Sequence, residues 1–193
     1  MNLLRRLRGD METSRLILRH WRESDFEDFL TFAADPQVML SSGATPAGDL
    51  AEAQSSFRRA LWDSGCYAIV LKETGRAVGK IKFQKDIRRY KVNSLSIGYE
   101  LAREHWGHGY MTEALRAMIQ CGFERKKIDV LAIGHFSGNN RSRRVIEKCG
   151  FQYEGVIRRA FGRCDGQVFD DVCYSILREE YFAHPERYLG TQP

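Results

Sequence analysis

Alternating apolar and polar residues mark the strands in the first half of the chain. Residues 15–20 alternate and are rich in Leu and Ile, which predicts an edge strand. Residues 66–85 hold two alternating runs around the turn-forming residues 73–76, a pattern typical of a β-hairpin. Residues 94–101 alternate again, with one apolar face and one polar face that carries Glu100. This half of the chain is therefore predicted to form an antiparallel sheet.

Helical periodicity separates these strands. Apolar residues share one helical face in 26–33, with Ser24 or Asp25 as the N-cap, and Pro36 is predicted to end this helix. Residues 50–65 predict a second helix that closes on its final glycine. A longer apolar stripe begins after residue 109, and its members are Leu115, Met118, Ile119, Gly122 and Phe123.

The second half of the chain predicts a parallel crossover. Residues 129–136 are almost all apolar, as in a strand buried on both faces. Strand, helix and strand over this distance indicate a right-handed parallel connection. A shorter helix is predicted over 142–149, and a final strand pair over 155–159 and 168–177. The predicted fold class is α/β, a single domain with a mixed sheet, antiparallel in its N-terminal part, with a central parallel strand-helix-strand crossover and a C-terminal strand pair.

Composition narrows the class of protein. The 193 residues are 43% hydrophobic and 28% charged, as in ordinary soluble globular proteins. No apolar run approaches the roughly 20 residues needed to span a bilayer, and no secretory signal is evident, so we expect a cytoplasmic protein without a membrane partner. A net charge of +5 favours an anionic ligand but is too small to indicate direct nucleic-acid binding. The five cysteines contain no CxxC pair and predict reduced core thiols, while His105 and His108 are too isolated to indicate a metal.

Two glycines, Gly107 and Gly109, lie between a predicted strand end and the start of the long helix. The first N–H groups of a helix lack internal partners and its dipole is positive there, so the position suits an anion, commonly a phosphate. Glycine would let the backbone approach such a ligand closely, and a plain tight turn is the alternative. The carboxylate of Glu113 would disfavour a phosphate if it pointed inward. The sequence has neither the GK[ST] ending of a P-loop nor the third glycine of a dinucleotide fingerprint, which excludes both nucleotide motifs.

Several longer motifs occur in a fixed order, namely METSRLILR, IGYEL followed by HWGHGYMTEAL, GNNRSRRVIEKCGFQYEG and DDVCYSIL. On these motifs the chain resembles the GCN5-related N-acetyltransferase (GNAT) family, within it the branch of ribosomal-protein alanine N-acetyltransferases. The resemblance implies an N-acetyltransferase domain over 11–181, a basic N-terminal extension over 1–10 and a C-terminal tail over 182–193. The extension is interpreted either as an amphipathic surface helix or as a disordered or misassigned start.

The resemblance also implies a binding site for acetyl-CoA. The family pattern Q/R-x-x-G-x-G/A falls on residues 106–111, with Trp106 in place of Gln or Arg and Met111 in place of the small residue. It implies that the loop amides hold the pyrophosphate, and that the pantetheine arm lies between the strand ending at Leu101 and the strand beginning near Asp129. The residues expected to bind acetyl-CoA are Tyr99, Leu101, Trp106, Gly107, His108, Gly109, Tyr110, Met111, Thr112, Asn139 and Ser142.

Acetyl transfer needs a neutral amine, a polarised thioester carbonyl and a proton for the leaving thiolate. In this branch a serine or tyrosine that opens the helix after the second parallel strand often donates that proton, and a preceding asparagine binds pantetheine. Asn139 and Ser142 match this N-x-x-S pattern, although both are also preferred helix-capping types. The catalytic assignment therefore includes Ser142.

The general base is less clearly marked. Glu100 lies at the strand end beside the expected thioester and is our candidate, although it could equally face solvent. His135 is a second candidate, but its apolar strand favours a core position. Asp170 and Asp171 are expected to shape the acceptor mouth or to pair with arginines.

The expected class of acceptor follows from a comparison of how easily a lysine and an α-amine lose a proton. Deprotonating a lysine costs roughly 3.5 kcal/mol more than deprotonating an α-amine at the same pH, and no strong base is evident. We therefore expect direct transfer to the N-terminal α-amine of a protein or peptide. The alternatives are a small-molecule amine, such as a polyamine, amino acid or antibiotic, and a non-catalytic acyl-CoA-binding module that docks RNA or ribosome. A homodimer is the candidate assembly.

Overall fold

The structure, a computed structural model, describes residues 9–189, so the predicted extension over 1–10 lies almost entirely outside the described residues. The strands are β1 (Met11–Glu12), β2 (Leu16–Arg19), β3 (Cys66–Leu71), β4 (Ala77–Lys85), β5 (Ser94–Leu101), β6 (Val130–Phe136), β7 (Gln152–Gly162) and β8 (Val168–Leu177). The helices are α1 (Phe26–Ala33), α2 (Pro36–Ser42), α3 (Leu50–Trp62), α4 (Tyr110–Gln120), α5 (Asn140–Lys148), α6 (Arg178–Ala183) and α7 (Pro185–Leu189).

Two compact units make up the chain, and the first contains the residues up to Lys82 together with Tyr99–Ala114. In this unit β1 pairs with β2, β2 with β3 and β3 with β4, all antiparallel. Trp21 lies at the centre of its core, with the ring centroids of Phe29 and Phe57 at 5.3 and 5.8 Å. This aromatic cluster packs α1 and α3 together with buried residues of β3 and with Ala77 at the start of β4.

The second unit contains Phe83–Gly98 and the residues from Leu115 onward. Here β5 and β6 pair in parallel over Ser94–Ile97 and Val130–Ile133. β6 pairs antiparallel with β8, and β8 pairs antiparallel with β7. The first four residues of β6 are buried, as expected for a strand covered on both faces.

The strand order is β1-β2-β3-β4-β5-β6-β8-β7. The predicted mixed sheet, with an antiparallel N-terminal part, one parallel pair and a C-terminal strand pair, is therefore confirmed. The prediction that residues 15–20 form an edge strand is wrong. β2 has a neighbour on each side, because the short strand β1 occupies the outer position.

Helix α2 was not expected, because Pro36 was interpreted as a stop. It lies instead at the first helical position, where proline's missing N–H costs nothing, and the side chain of Asp35 accepts a hydrogen bond from the amide of Gln37 at 2.8 Å. Part of the predicted tail is also helical, since α7 lies within it and its Tyr188 is only 1% exposed. Over residues 9–189, no helix is both long and apolar enough to cross a membrane.

Candidate active site

The glycine loop joins β5 to α4 within the first unit. A 3₁₀ turn, Arg103–His105, leaves the strand, and the indole Nε1 of Trp106 donates to the carbonyl oxygen of Leu101 at 2.8 Å. Gly107 and Gly109 have φ angles of +82° and +79°, a left-handed conformation that glycine adopts without steric cost. The loop therefore requires glycine for its turn as well as for any close contact with a ligand.

The space around the loop permits such a contact. A Cβ atom on Gly107 would meet no heavy atom within 4 Å, and one on Gly109 would meet only the guanidinium of Arg15 at 3.5 Å. Helix α4 has 11 residues and begins directly after the loop, so its positive dipole end points toward this open backbone. An anion placed here would be favoured by the helix and not blocked by side chains.

The carboxylate of Glu113 in the first turn of α4 binds the segment between β1 and β2. It accepts hydrogen bonds from the hydroxyls of Thr13 and Ser14 at 2.5 and 3.0 Å, and from the amide of Arg15 at 2.8 Å. Burial alone would raise the pKa of this carboxyl, but the hydrogen bonds from Thr13 and Arg15 lower it. Glu113 therefore stays ionised, and its ion pair with Arg15 offsets the charge that would otherwise repel a phosphate.

Arg15 links this network to the glycine loop. Its Nε donates to Glu113 at 2.7 Å, its Nη1 donates to the carbonyl oxygen of His108 at 3.0 Å, and its guanidinium lies 4.6 Å from the ring centroid of Tyr110. About half of the Arg15 side chain is exposed beside the loop, and its charge is paired with Glu113. Sequence reasoning missed this residue, because about ninety positions separate it from the loop. The METSRLILR motif that contains it was the available signal.

The other loop residues expected to bind acetyl-CoA also lie in the first unit, on β5 and at the start of α4. The side chains of Leu101 and Met111 are buried, so these two residues can offer only backbone groups. The exposed ring of His108 stacks on Tyr110, with 5.7 Å between their centroids. Tyr99 and Thr112 are half-buried.

Glu100 does not face solvent. It is 9% exposed, its Oε2 lies 2.8 Å from Nζ of Lys80, and its Oε1 accepts a hydrogen bond from the hydroxyl of Ser42 at 3.0 Å. The contact with Lys80 is misaligned for a hydrogen bond, and Oε2 has no hydrogen-bond donor among the described residues. A buried carboxylate oxygen of this kind can accept a hydrogen bond from a ligand.

A cleft of about 530 Å³ lies next to Lys80 in the first unit. It is formed by α2 and the loop after it, one face of α3, the start of β3 and the middle of β4. The lining residues are Met39, Ala44, Thr45, Pro46, Ala47, Glu52, Ser55, Ser56, Arg59, Ala60, Asp63, Cys66, Lys80 and Lys82. Lys80 lines the cleft and also contacts the carboxylate of Glu100, which is not itself a lining residue.

In the second unit, Asn139 is the N-cap of α5. Its Oδ1 accepts a hydrogen bond from the amide of Ser142 at 3.1 Å, and Ser142 is half-buried in the first turn. The cap accounts for asparagine at position 139, whereas Ser142 contributes only its backbone amide to it. A ligand-binding role for Asn139 and a proton-donating role for Ser142 remain predictions.

His135 occupies a core position. It is 8% exposed, its Nδ1 lies 2.9 Å from the carbonyl oxygen of Phe136, and its Nε2 lies 3.5 Å from the hydroxyl of Tyr174. Burial raises the pKa of Tyr174, so the phenol stays protonated at neutral pH. This environment favours the interpretation of His135 as a core residue over its role as a base.

Asp170 and Asp171, two neighbouring residues of β8, both have partners within the second unit. Asp171 forms an ion pair with Arg88, from the loop after β4, and Asp170 accepts a hydrogen bond from the amide of Arg159 at 2.8 Å. Pairing with an arginine side chain was one of the two expected roles of these residues, and Asp171 adopts it.

All five cysteines are free thiols, and four are buried while Cys164 is exposed. Cys66 lines the cleft, and burial raises its pKa to about 11. Such a thiol is protonated at pH 7 and is a poor nucleophile. The prediction that most of the cysteines are core residues is confirmed, and the raised pKa makes Cys66 a poor carrier for an acetyl group.

The sequence matches the model of the acetyltransferase (GNAT) domain over residues 15–152. The chain therefore belongs to the GNAT family, as the motifs predicted, and it is an acetyl-CoA-dependent N-acetyltransferase. Among residues 9–189, no group of three or more His, Cys, Asp or Glu side chains could hold a metal ion.

Relatives and solved structures agree with this assignment. The "Uncharacterized N-acetyltransferase p20" of Bacillus licheniformis is 26% identical over 88% of this chain and 96% of its own length. The "Putative ribosomal N-acetyltransferase YdaF" of Bacillus subtilis is 39% identical over 44% of this chain and 46% of its own length.

Two crystal structures have the same fold. A GNAT-family acetyltransferase from Bacillus anthracis superposes with a TM-score of 0.80 and 23% identity, over 89% of this chain and 99% of its own. A spermidine N-acetyltransferase from Vibrio cholerae, in complex with CoA and spermine, superposes with a TM-score of 0.73 and 19% identity, over 88% of this chain and 99% of its own.

Proposed function

We propose that this acetyltransferase acts on the N-terminal α-amine of a protein or peptide. The supporting observation is the buried carboxylate of Glu100, which lacks a hydrogen-bond donor at Oε2 and lies 2.8 Å from the ammonium group of Lys80. Transfer requires the acceptor as a neutral amine, because only the unprotonated nitrogen has a lone pair that can attack the thioester carbon. An α-amine loses its proton far more readily than a lysine side chain.

Each candidate residue has a defined task in direct transfer. The glycine loop, with Arg15 beside it, holds the phosphates of acetyl-CoA. Glu100 accepts a proton from the amine as its nitrogen forms a bond to the thioester carbonyl carbon. The C–S bond then breaks, and Ser142 supplies the proton that converts the CoA thiolate to the thiol. Ser142 regains a proton from solvent, and Glu100 releases to solvent the proton that it took from the amine. No acetyl-enzyme is needed, which agrees with the protonated state of Cys66.

The acceptor is tested with a panel of amines at pH 7, with release of free CoA thiol as the signal. The panel contains a peptide with a free N-terminus, the same peptide with its N-terminus blocked and one lysine free, and spermidine. We expect the highest kcat/KM for the free N-terminus. Turnover of spermidine alone would overturn the proposal, and a protein that binds CoA and releases no thiol with any amine would be a binding module instead.

The role of Ser142 is tested separately, because Ser142 also lies in the first turn of α5, where its backbone amide donates to the N-cap Asn139. Ser142→Ala should lower kcat by about 10²-fold and leave acetyl-CoA affinity unchanged, within the usual effect of a positioned proton donor. Unfolding temperature is the control. A lower melting temperature with unchanged kcat would show that Ser142 is structural only.

A further inference from the structure

The charges that line the cleft of the first unit are not balanced. Three of its lining residues are cationic, Arg59, Lys80 and Lys82, and two are acidic, Glu52 and Asp63. The partners of these five side chains decide what kind of ligand the cleft can accept. The cleft borders Glu100 through Lys80, so this question concerns the acceptor whose amine is proposed to bind there.

Both acidic side chains are occupied by backbone amides. Oε2 of Glu52 accepts a hydrogen bond from the amide of Gly48, and Oδ1 of Asp63 accepts one from the amide of Gly65, each at 2.8 Å. These bonds hold the two ends of α3. No ion pair joins Glu52 or Asp63 to a cation in the part of the chain that the structure describes.

Two of the three cations have no carboxylate partner within residues 9–189. Lys80 is paired with Glu100, whereas the guanidinium of Arg59 donates only to the hydroxyls of Ser55 and Ser56, at 3.1 and 2.7 Å. Lys82 forms no ion pair in the same range. Arg59 and Lys82 therefore present cationic groups without a direct ion-pair partner to the cleft.

The spacing of these groups suits a bifunctional ligand. Lys80 and Lys82 alternate with the buried Ile81, so they share one face of β4 and lie about 7 Å apart along the strand. Ser55 and Arg59, one helical turn apart on α3, line the same cleft. A ligand with its amine at Glu100 can thus extend past Lys80 to Lys82 and Arg59.

We propose that the acceptor carries a carboxylate that binds Arg59 and Lys82 while its amine binds at Glu100. This inference rests on the proposed acetylation of an amine at Glu100 and adds the chemical class of the acceptor. In a peptide, an acidic side chain at position 2 or 3 matches the spacing of about 7 Å between Lys80 and Lys82, since each extended residue spans about 3.3 Å. An acidic amino acid offers the same chemistry in a small molecule, whereas a polyamine would meet two unpaired cations.

The test compares peptides with a free N-terminus that differ only at positions 2 and 3, where they carry two Glu, two Gln or two Lys. We expect kcat/KM at least tenfold higher for the Glu peptide than for the Gln peptide, and lowest for the Lys peptide. The difference should lie mainly in KM and shrink as salt concentration rises. Free glutamate and spermidine form the small-molecule arms, which distinguish an amino acid from a peptide.

Substitutions of the two cleft cations, compared with a control substitution on the same helix, test which residues cause the preference for the Glu peptide. Arg59→Gln and Lys82→Gln should each raise KM for the Glu peptide and bring the Glu-to-Gln ratio of kcat/KM close to 1. Lys82→Glu should reverse the preference in favour of the Lys peptide. Arg58→Gln is the control, because Arg58 lies on the same helix, is exposed and does not line the cleft.

The outcomes separate this inference from the proposed function. Acetylation of all three peptides at equal kcat/KM would overturn the carboxylate site and leave the α-amine proposal standing. Unchanged selectivity in Arg59→Gln and Lys82→Gln variants that melt like the wild type would also overturn it. Activity toward spermidine with none toward any peptide would overturn both.

Discussion

Two glutamates of the first unit, Glu113 beside the glycine loop and Glu100 beside the cleft, have similar burial and opposite surroundings. Glu113 accepts hydrogen bonds from three consecutive residues, 13–15, which occupy both of its oxygens. Glu100 has one hydroxyl donor and one misaligned ion pair, and its Oε2 is left without a hydrogen bond. The carboxylate of Glu113 therefore stabilises the fold, whereas the carboxylate of Glu100 can still accept a hydrogen bond from a ligand. The number of hydrogen-bond donors that contact each carboxylate, rather than its burial, distinguishes the roles of the two glutamates.

The largest effect is expected at Glu100. Glu100→Gln should lower kcat by about 10²-fold or more, because the amide cannot accept the proton of the amine, and should leave acetyl-CoA affinity unchanged. Steady-state kinetics and calorimetry measure the two quantities.

This substitution also leaves the Lys80 charge buried without a partner, so a folding defect must be separated from a catalytic one. The double variant Lys80→Met/Glu100→Gln removes both charges, and Glu104→Gln, at a largely exposed neighbour, is the control. A single or double variant that folds and retains wild-type kcat would show that Glu100 is as structural as Glu113.

A smaller effect is expected at the loop that Glu113 and Arg15 support. Gly109→Val should weaken acetyl-CoA binding by at least tenfold, because valine is strained at a φ of +79° and presses on Arg15. Calorimetry with acetyl-CoA measures this change. Unchanged affinity in a folded variant would remove the loop from the cosubstrate site.

Substitution of Glu113 should change the stability of the protein more than its catalytic rate. Glu113→Gln should lower the free energy of unfolding by roughly 1–3 kcal/mol at pH 7, as expected when hydrogen bonds to a charged group are lost. The folded state lowers the pKa of Glu113, so this carboxylate stabilises the protein above its unfolded pKa, and the contribution is lost as pH falls through the folded pKa.

Denaturant melts of wild type and Glu113→Gln from pH 7 down to pH 3 measure that difference. The two curves should converge at the acidic end. A constant difference in stability across this range would contradict a role for the charge of Glu113.

The smallest effect is expected at Cys66, although it lines the cleft. Cys66→Ala should change kcat less than about threefold, because a thiol whose pKa is raised to about 11 is not a nucleophile at neutral pH. Intact-protein mass spectrometry should likewise detect no acetylated enzyme after incubation with acetyl-CoA alone. Loss of activity in a stable Cys66→Ala variant would point to an acetyl-enzyme intermediate.

The sequence was sufficient for the elements with strong local patterns. Strands 94–101 and 168–177 were predicted to the residue, and the glycine loop was located by its two glycines and the helix that follows. Helix α2 was missed, because Pro36 at a first helical position looks the same in sequence as Pro36 after a last one.

Pairings between distant segments could not be predicted. Nothing local in METSRLILR shows that Arg15 reaches the carbonyl of His108, and nothing in the strand pattern shows that Lys80 lies against Glu100. The polar face expected for β5 is in part buried, at Ser96 and Glu100, because tertiary contacts rather than alternation decide which face meets solvent. The cleft is lined by residues from several elements that are distant in sequence, so it could not be predicted from local patterns.

The preference for an α-amine is tested most directly with one peptide that contains both a free N-terminus and one lysine. The enzyme, acetyl-CoA and this peptide are incubated between pH 6 and 9, and tandem mass spectrometry locates the acetyl group. We predict acetylation of the α-amine at least tenfold faster than of the lysine at pH 7, with a ratio that falls as the pH rises and more lysine becomes neutral. Equal acetylation of the two amines at pH 7, or acetylation of the lysine alone, would contradict the proposal.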